Sequence, residues 1–224
     1  MKRTKLKDRI LPDYTRGEEI FNMVSHIVGG GFGVIALVTC VLKAVLTDAG
    51  PYAITGSLIY GISMIVLYTM SSIYHGLKPQ TAKKVFQIID HCTIFILIAG
   101  TYTPILLTAI RKENPLVCWI IFAVVWGASF LGATLNAIDL KKYKVLSMVL
   151  YLVMGWCIIL TGDTALKAMG LPCFTWILAG GVSYTVGAVF YGAAKKVRYM
   201  HSVFHLFVVL GSILQYIGII FYII

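Results

Sequence analysis

Charged side chains are scarce in this sequence. Only 12% of its 224 residues are Asp, Glu, Lys or Arg, whereas soluble domains carry about 25%. Because 59% of the residues are hydrophobic, too few polar side chains remain to cover a surface that faces water. This deficit excludes an ordinary soluble protein and predicts an all-α protein that crosses a membrane several times.

Acidic residues are fewer than basic ones, and the formal net charge is +10. In a soluble protein this excess would suggest nucleic acid as the partner. Here the lysines and arginines lie between apolar segments, which is typical of charges that set membrane topology and face anionic lipid headgroups. We therefore expect membrane lipid, and not nucleic acid, as the partner.

Closely spaced cysteines are also absent. The five cysteines are scattered along the chain, no C-x-x-C occurs, and nearly all of them lie within apolar segments. Cysteines of this kind usually act as small buried side chains. They give no sign of an oxidising compartment.

Seven apolar segments are present, and most are long enough to span a hydrocarbon core of roughly 30 Å. They are Ile20–Leu46, Tyr52–Tyr74, Val85–Ile110, Pro115–Ile138, Val145–Thr161, Leu171–Ala194 and Met200–Ile224. The fifth is the weakest, because Gly162 and Asp163 end it early. The first apolar run is too long for a signal-peptide core. We therefore expect residues 1–19 to remain as a basic N-terminal segment, followed by one membrane domain over residues 20–224.

Lys and Arg are distributed unequally between the two sides that these segments define. Fifteen fall on the side of the N-terminus and four on the other. The fifteen are Lys2, Arg3, Lys5, Lys7, Arg9, Arg16, Lys78, Lys83, Lys84, Lys141, Lys142, Lys144, Lys195, Lys196 and Arg198. The positive-inside rule then places the N-terminus in the cytoplasm and the C-terminus outside. The short basic N-terminus is typical of a multi-pass protein of the bacterial inner membrane.

Ionisable residues inside the apolar segments fall toward one side. The group consists of His26, His75, His91, His201, His205 and the one acidic residue well inside a span, Asp90. With a rise of 1.5 Å per residue, all of them lie within about 10 Å of the predicted cytoplasmic face. An unpaired charge in a membrane is costly, so such a group indicates a functional site.

His201 and His205 are four residues apart and therefore lie one above the other on a helix face. This spacing lets two imidazoles bind one metal ion. A catalytic zinc site needs a third protein ligand and an open position for water. His75, His26 or His91 could supply that ligand, and spacing alone does not choose among them.

Asp90 and Ser71 are the remaining candidates for chemistry. Asp90 would orient or deprotonate a water molecule on the metal, because zinc lowers the pKa of bound water to about 7. Ser71 lies four residues before His75 and shares its helix face. No separate base pairs with Ser71, so we expect it to donate a hydrogen bond at most, and not to act as the nucleophile.

Five motifs follow one another in a defined order and spacing over nearly the whole chain. They are Glu18-Glu-Ile-Phe-Asn22 with Ser25-His26, Ser71-Ser-Ile-Tyr-His75, Asp90-His91 with Gly100-Thr-Tyr-Thr-Pro104, Gly187-Ala-Val-Phe-Tyr191, and His201-Ser-Val-Phe-His205. These motifs resemble those of the hemolysin III family, within the progestin and adipoQ receptor superfamily. The resemblance implies a seven-helix fold with the N-terminus inside.

The resemblance also implies one Zn²⁺ ion bound by His75, His201 and His205, with the family aspartate at Asp90 and the family serine at Ser71. Adiponectin receptors, which are similar in these motifs, are linked to the hydrolysis of ceramide amides, and alkaline ceramidases look related. This implies a zinc-dependent intramembrane hydrolase that acts on a lipid amide or ester at the cytoplasmic side.

A function outside catalysis is the alternative. Bacterial members of the family take their name from cytolysis, which implies a membrane-perturbing protein, or a sensor in which zinc is structural. The sequence carries neither a long N-terminal regulatory domain nor an external ligand-binding extension. We therefore do not expect an adipokine receptor.

Overall fold

The structure, a computed structural model, describes residues 3–194 and 196–224. Seven helices in these ranges are long and apolar enough to cross a membrane. They are α1 (Arg16–Leu46), α2 (Pro51–Gly76), α3 (Gln80–Glu113), α4 (Pro115–Asp139), α5 (Lys144–Thr161), α6 (Asp163–Ala193) and α7 (Met200–Tyr222). Helices suit a bilayer because they satisfy their backbone hydrogen bonds internally. The prediction of an all-α fold with seven spans is confirmed.

The start of α1 is fixed by a capping box. Thr15 Oγ1 accepts the N–H of Glu18 (3.2 Å), and Glu18 Oε2 accepts the N–H of Thr15 (2.8 Å). These bonds extend α1 ahead of Ile20, where the apolar run begins, because they satisfy N–H groups that a helix start leaves free. Glu18 Oε1 also accepts the N–H of Tyr199 (2.7 Å), directly before α7. One carboxylate therefore joins the starts of α1 and α7.

The sixth helix begins earlier than the apolar segment that starts at Leu171. Its first two turns carry an exposed ion pair between Asp163 and Lys167, so hydropathy alone does not include them. The helix is interrupted at Gly170, which has a φ of 73°. Glycine adopts a positive φ without steric cost, and Pro172 lacks the N–H that an unbroken helix would use. The sequence therefore predicted the start of this segment at Leu171, next to the interruption, whereas the helix begins at Asp163.

Helix α3 is the most buried of the seven. It packs against α2 and α4, while α1 packs against α2 and α7, and α6 packs against α7. A glycine permits close approach of α1 and α2, because a Cβ atom at Gly29 would lie 2.7 Å from the ring of Tyr68. Large apolar side chains such as Val28 and Leu131 are exposed on the outside of the bundle. This surface faces lipid.

The N-terminal segment (residues 3–15) lies along one end of the bundle. Arg3 Nε donates to the carbonyl oxygen of Ile138 at the end of α4 (2.8 Å), and Lys84 Nζ near the start of α3 donates to the carbonyl oxygen of Lys7 (2.9 Å). The segment and the loops α2–α3, α4–α5 and α6–α7 therefore share this end, which we call the basic face. It holds the predicted cytoplasmic charges that belong to the described residues.

Two of the fifteen predicted cytoplasmic charges, Lys2 and Lys195, lie outside the described residues. The others belong to the N-terminal segment, the first turn of α1, and the loops and helix starts of the basic face. The structure thus places the charges on one face, and the assignment of that face to the cytoplasm stays a prediction from the positive-inside rule.

Candidate metal centre

Three histidines from two helices meet beneath the basic face. His75 lies in the last turn of α2, and His201 and His205 occupy the first two turns of α7. One ring nitrogen of each lies within 4.8 Å of the other two, and all three side chains are buried. The residues predicted as metal ligands therefore come together in a group that could hold a metal ion. We call them the histidine group.

The ring nitrogens of the histidine group fit a metal ion. His201 Nε2 and His205 Nε2 are 3.1 Å apart, and two nitrogens on a tetrahedral zinc ion at roughly 2.0 Å each would be about 3.3 Å apart. His75 Nε2 is buried and has no hydrogen-bond partner among the described residues. Such an atom is costly to bury, and a metal ion would remove that cost.

Glu19 orients His75, a role that the sequence did not reveal. Glu19 Oε2 accepts a hydrogen bond from His75 Nδ1 (2.7 Å), and Glu19 Oε1 lies 2.9 Å from Lys83 Nζ. A carboxylate on one imidazole nitrogen fixes the tautomer and leaves the other nitrogen for the metal. The available signal was spacing, because Glu19, Asn22 and His26 share one face of α1 at intervals of three and four residues.

Helix α1 also supports the ligands on α7. Ser202 Oγ donates to Asn22 Oδ1 (2.7 Å), and Ser25 Oγ lies 3.5 Å from His205 Nδ1. The ring of His26 stacks on the ring of His205, with centroids 3.7 Å apart. Spacing left His26 open as a third ligand, and the structure shows it packed against a member of the histidine group.

His91, the other open candidate, is held away from the histidine group. Its Nδ1 donates to the carbonyl oxygen of Gln87 (2.8 Å), and its Nε2 lies 3.3 Å from the hydroxyl of Tyr191. A carbonyl oxygen only accepts, so Nδ1 carries the proton. Both ring nitrogens of His91 therefore have partners within the protein.

Asp90 and Ser71 line the same cavity as His201 and His205. The Asp90 side chain is buried, and the Ser71 hydroxyl near its carboxylate is buried without a hydrogen-bond partner among the described residues. The structure thus brings both residues to the cavity that His201 and His205 line. Their catalytic roles remain predictions.

The cavity has a volume of about 920 Å³. It extends from residues of the basic face, including Lys141 and Lys196, into the bundle, where Leu97, Leu152 and Val208 line it. Sites for small molecules commonly have volumes of about 300–1,000 Å³. The cavity therefore has room for an acyl chain next to the histidine group.

Tyr14 covers the histidine group from the basic face. Its ring stacks on that of His201, with centroids 4.9 Å apart and an interplanar angle of 17°, and its centroid lies 5.8 Å from that of His75. Burial raises the pKa of the Tyr14 phenol, and the nearby Tyr191 and Glu19 raise it further, so the ring stays neutral. The basic composition of the N-terminal segment did not predict this contact. The contact depends on how the segment lies across the end of the bundle.

The fold and the site define a seven-helix membrane protein with a buried histidine group that could hold a metal ion beneath one membrane face. A family model described as Haemolysin-III related matches residues 14–216. The chain belongs to this family, a family of membrane proteins, which confirms the resemblance drawn from the motifs and the multi-pass membrane location.

Curated relatives match over most of the chain. Hemolysin-3 of Bacillus cereus is 33% identical over 206 residues, which cover 92% of each protein. The Hemolysin-3 homolog of Bacillus subtilis (strain 168) is 32% identical over 209 residues, covering 93% of this chain and 96% of the relative. The monocyte to macrophage differentiation factor of Homo sapiens is 27% identical over 169 residues, covering 72% of this chain and 67% of the human protein.

Proposed function

We propose that this protein is a zinc-dependent hydrolase that cleaves an amide or ester bond of a membrane lipid within the bilayer. One observation carries the proposal. The buried His201 and His205 open into the same cavity of about 920 Å³ as the carboxylate of Asp90. A metal-binding group, a carboxylate and room for an acyl chain are the parts that such a reaction needs.

Three neutral imidazoles are the protein ligands of many catalytic zinc sites. His75 would bind through Nε2, because its Nδ1 is held by Glu19. His201 and His205 would bind through the two Nε2 atoms that face each other. Zinc bound there would polarise a carbonyl oxygen and lower the pKa of a water molecule to about 7.

Asp90 would act as the general base and then as the general acid. Its carboxylate would take a proton from the attacking water and return it to the leaving amine or alcohol. The Ser71 hydroxyl lies beside this carboxylate, where it can donate a hydrogen bond to it or to the substrate oxygen. Tyr14 would limit the access of bulk water to the histidine group, because it stacks on His201 from the basic face.

The substitution Asp90→Asn tests this mechanism. Asn keeps the size and polarity of the side chain, so the variant should fold and retain zinc. Turnover of an extracted-lipid mixture should fall by about 10²- to 10⁴-fold, the usual contribution of a general base. Thermal stability, zinc content and lipid hydrolysis are measured on the same preparation.

The matched control is Asp163→Asn, which changes an exposed aspartate at the start of α6 and should leave turnover unchanged. If folded, zinc-loaded Asp90→Asn protein turned over lipid as fast as the wild type, the proposed mechanism would be wrong. Loss of zinc or of stability in Asp90→Asn would instead favour a structural role for the carboxylate, in a membrane-perturbing protein or a sensor.

A further inference from the structure

Arg9 is a buried cation at the edge of the cavity. Its side chain is 8% exposed, and both Nε and Nη1 are buried with no hydrogen-bond partner among the described residues. In residues 3–194 and 196–224, no carboxylate forms an ion pair with it. Burial of a guanidinium without an acceptor is costly. The arrangement therefore indicates an acceptor from outside the chain.

Asp139 is close enough to Arg9 to be influenced by its charge, but the carboxylate of Asp139 is already occupied by other donors. Asp139 Oδ2 accepts the N–H of Thr4 (2.7 Å), and Oδ1 accepts the N–H groups of Lys141 (3.2 Å) and Lys142 (3.1 Å). These bonds hold the N-terminal segment and the α4–α5 loop in place. Among the described residues, the buried Arg9 Nε and Nη1 therefore have no acceptor.

Other cations share the mouth of the cavity with Arg9. Lys141 comes from the α4–α5 loop, and Lys196 and Arg198 come from the loop before α7. Three separate parts of the chain thus contribute positive charge to one opening. Clefts lined by one sign of charge concentrate ligands of the opposite sign.

Carboxylates along the cavity do not balance these cations. Asp13, Glu18 and Asp90 are the acidic residues that line it in the described part of the chain. Glu18 is bound by Thr15 and by the N–H of Tyr199, and Asp90 lies with the histidine group. Asp13 is the remaining acidic side chain, so the mouth keeps a positive excess.

We propose that Arg9 anchors an anion-binding site for the phosphate or carboxylate headgroup of a lipid whose chain occupies the apolar interior. A guanidinium binds such oxyanions in a bidentate manner, and the lysines and Arg198 add attraction. The binding of this lipid does not depend on the proposed function. Only the identification of the lipid as the substrate rests on it. The hydrolase would then act on anionic lipids in preference to neutral ones.

Competition between two lipids with the same acyl chains tests the proposal. Zinc-loaded protein in neutral detergent micelles binds a fluorescent phosphatidic acid, which is displaced by dioleoyl phosphatidic acid, by dioleoylglycerol or by inorganic phosphate. We expect phosphatidic acid to compete about 10- to 100-fold better than dioleoylglycerol, the range of a hydrogen bond to a charged group. Arg9→Gln should remove most of this preference, because the lysines and Arg198 remain, and Arg9→Lys should retain more of it.

The matched control is Arg16→Gln, which removes the same charge from an exposed residue that does not line the cavity. It should keep the full preference. Melting temperature and zinc content show whether each variant is folded. If Arg9→Gln does not fold, Arg9→Lys serves as the test, because it keeps the charge and loses only the guanidinium.

Equal competition by the two lipids, or equal losses in Arg9→Gln and Arg16→Gln, would overturn the proposal. If inorganic phosphate displaced the probe at the same concentration as phosphatidic acid, the site would bind a free oxyanion. The assignment to a lipid headgroup would then be wrong. Binding does not require turnover, so a retained preference without hydrolysis contradicts the proposed function alone. Hydrolysis without a preference contradicts this inference alone.

Discussion

Glu19 of α1 determines the orientation of His75, one of the three members of the histidine group. Its two carboxylate oxygens contact different partners, His75 Nδ1 at 2.7 Å and Lys83 Nζ at 2.9 Å. Lys83 is itself held by the carbonyl oxygens of His75 (3.3 Å) and Leu77 (3.2 Å). The carboxylate is therefore held by a second, fixed partner, and it can keep the His75 ring in one orientation.

Glu19→Gln should weaken zinc binding without removing it. An amide in place of the carboxylate holds the His75 ring less firmly, and loss of such a contact costs about 10- to 100-fold in metal affinity. Competition with a zinc chelator of known affinity measures the change. Glu113→Gln, at an exposed residue at the end of α3, should match the wild type. Equal affinity in Glu19→Gln and the wild type would show that the carboxylate does not support the ligand.

The residues of the site could be predicted from the sequence in part. His201 and His205 share a helix face by spacing alone, and Asp90 is conspicuous as an acid in an apolar segment. The third ligand could not be chosen from spacing, because His26, His75 and His91 lie on three different helices. The rotation of each helix about its axis decides which ring faces the group, and contacts distant in sequence set that rotation.

Among the elements, the N-terminal segment is the one with an unexpected position. It forms a short 3-10 helix over Leu6–Asp8 and then lines the cavity from Arg9 to Tyr14. Asp139 contributes to its attachment by accepting the N–H of Thr4 (2.7 Å), together with the Arg3–Ile138 and Lys84–Lys7 bonds. The segment thus lies between the histidine group and the water at the basic face.

Asp139→Ala should loosen this segment and expose the histidine group to solvent. Loss of a hydrogen bond to a charged group costs roughly 1.5–3 kcal/mol, so a chelator in solution should remove zinc about 10-fold faster or more. The half-time of zinc removal is measured beside hydrogen exchange of residues 3–12. Asp8→Ala, at an exposed aspartate in the same segment, is the control. Faster exchange with an unchanged rate of zinc removal would contradict a covering role.

The ends of the helices could be predicted from the sequence to within a few residues where hydropathy and length alone set them. Their ends differ where local chemistry adds polar turns, as the Thr15–Glu18 capping box does for α1 and the Asp163–Lys167 pair does for α6. The path of the N-terminal segment could not be predicted, because the Arg3–Ile138 contact joins residues 135 positions apart.

At the scale of the whole molecule, the basic face carries both the charge excess and the opening of the cavity. The positive-inside rule predicts that the histidine group is reached from the cytoplasmic side and from the inner leaflet. The orientation therefore decides which leaflet supplies the lipid.

A fusion of alkaline phosphatase, which is active only outside the inner membrane, to Ile224 should give activity. The same enzyme fused before the N-terminal segment should be inactive, because fifteen of nineteen Lys and Arg residues lie on that side. Activity from the N-terminal fusion alone would reverse the orientation and place the histidine group beneath the outer leaflet.

The zinc content of the purified protein is the most direct test of the central claim that the histidine group holds a metal. We expect about one zinc per chain, because three imidazole ligands match a single catalytic site. Alanine in place of His75, His201 or His205 should lower this content sharply, whereas His91→Ala, whose ring nitrogens contact Gln87 and Tyr191, should leave it unchanged. A zinc-free wild type, or loss of zinc in His91→Ala but not in His75→Ala, would contradict the account.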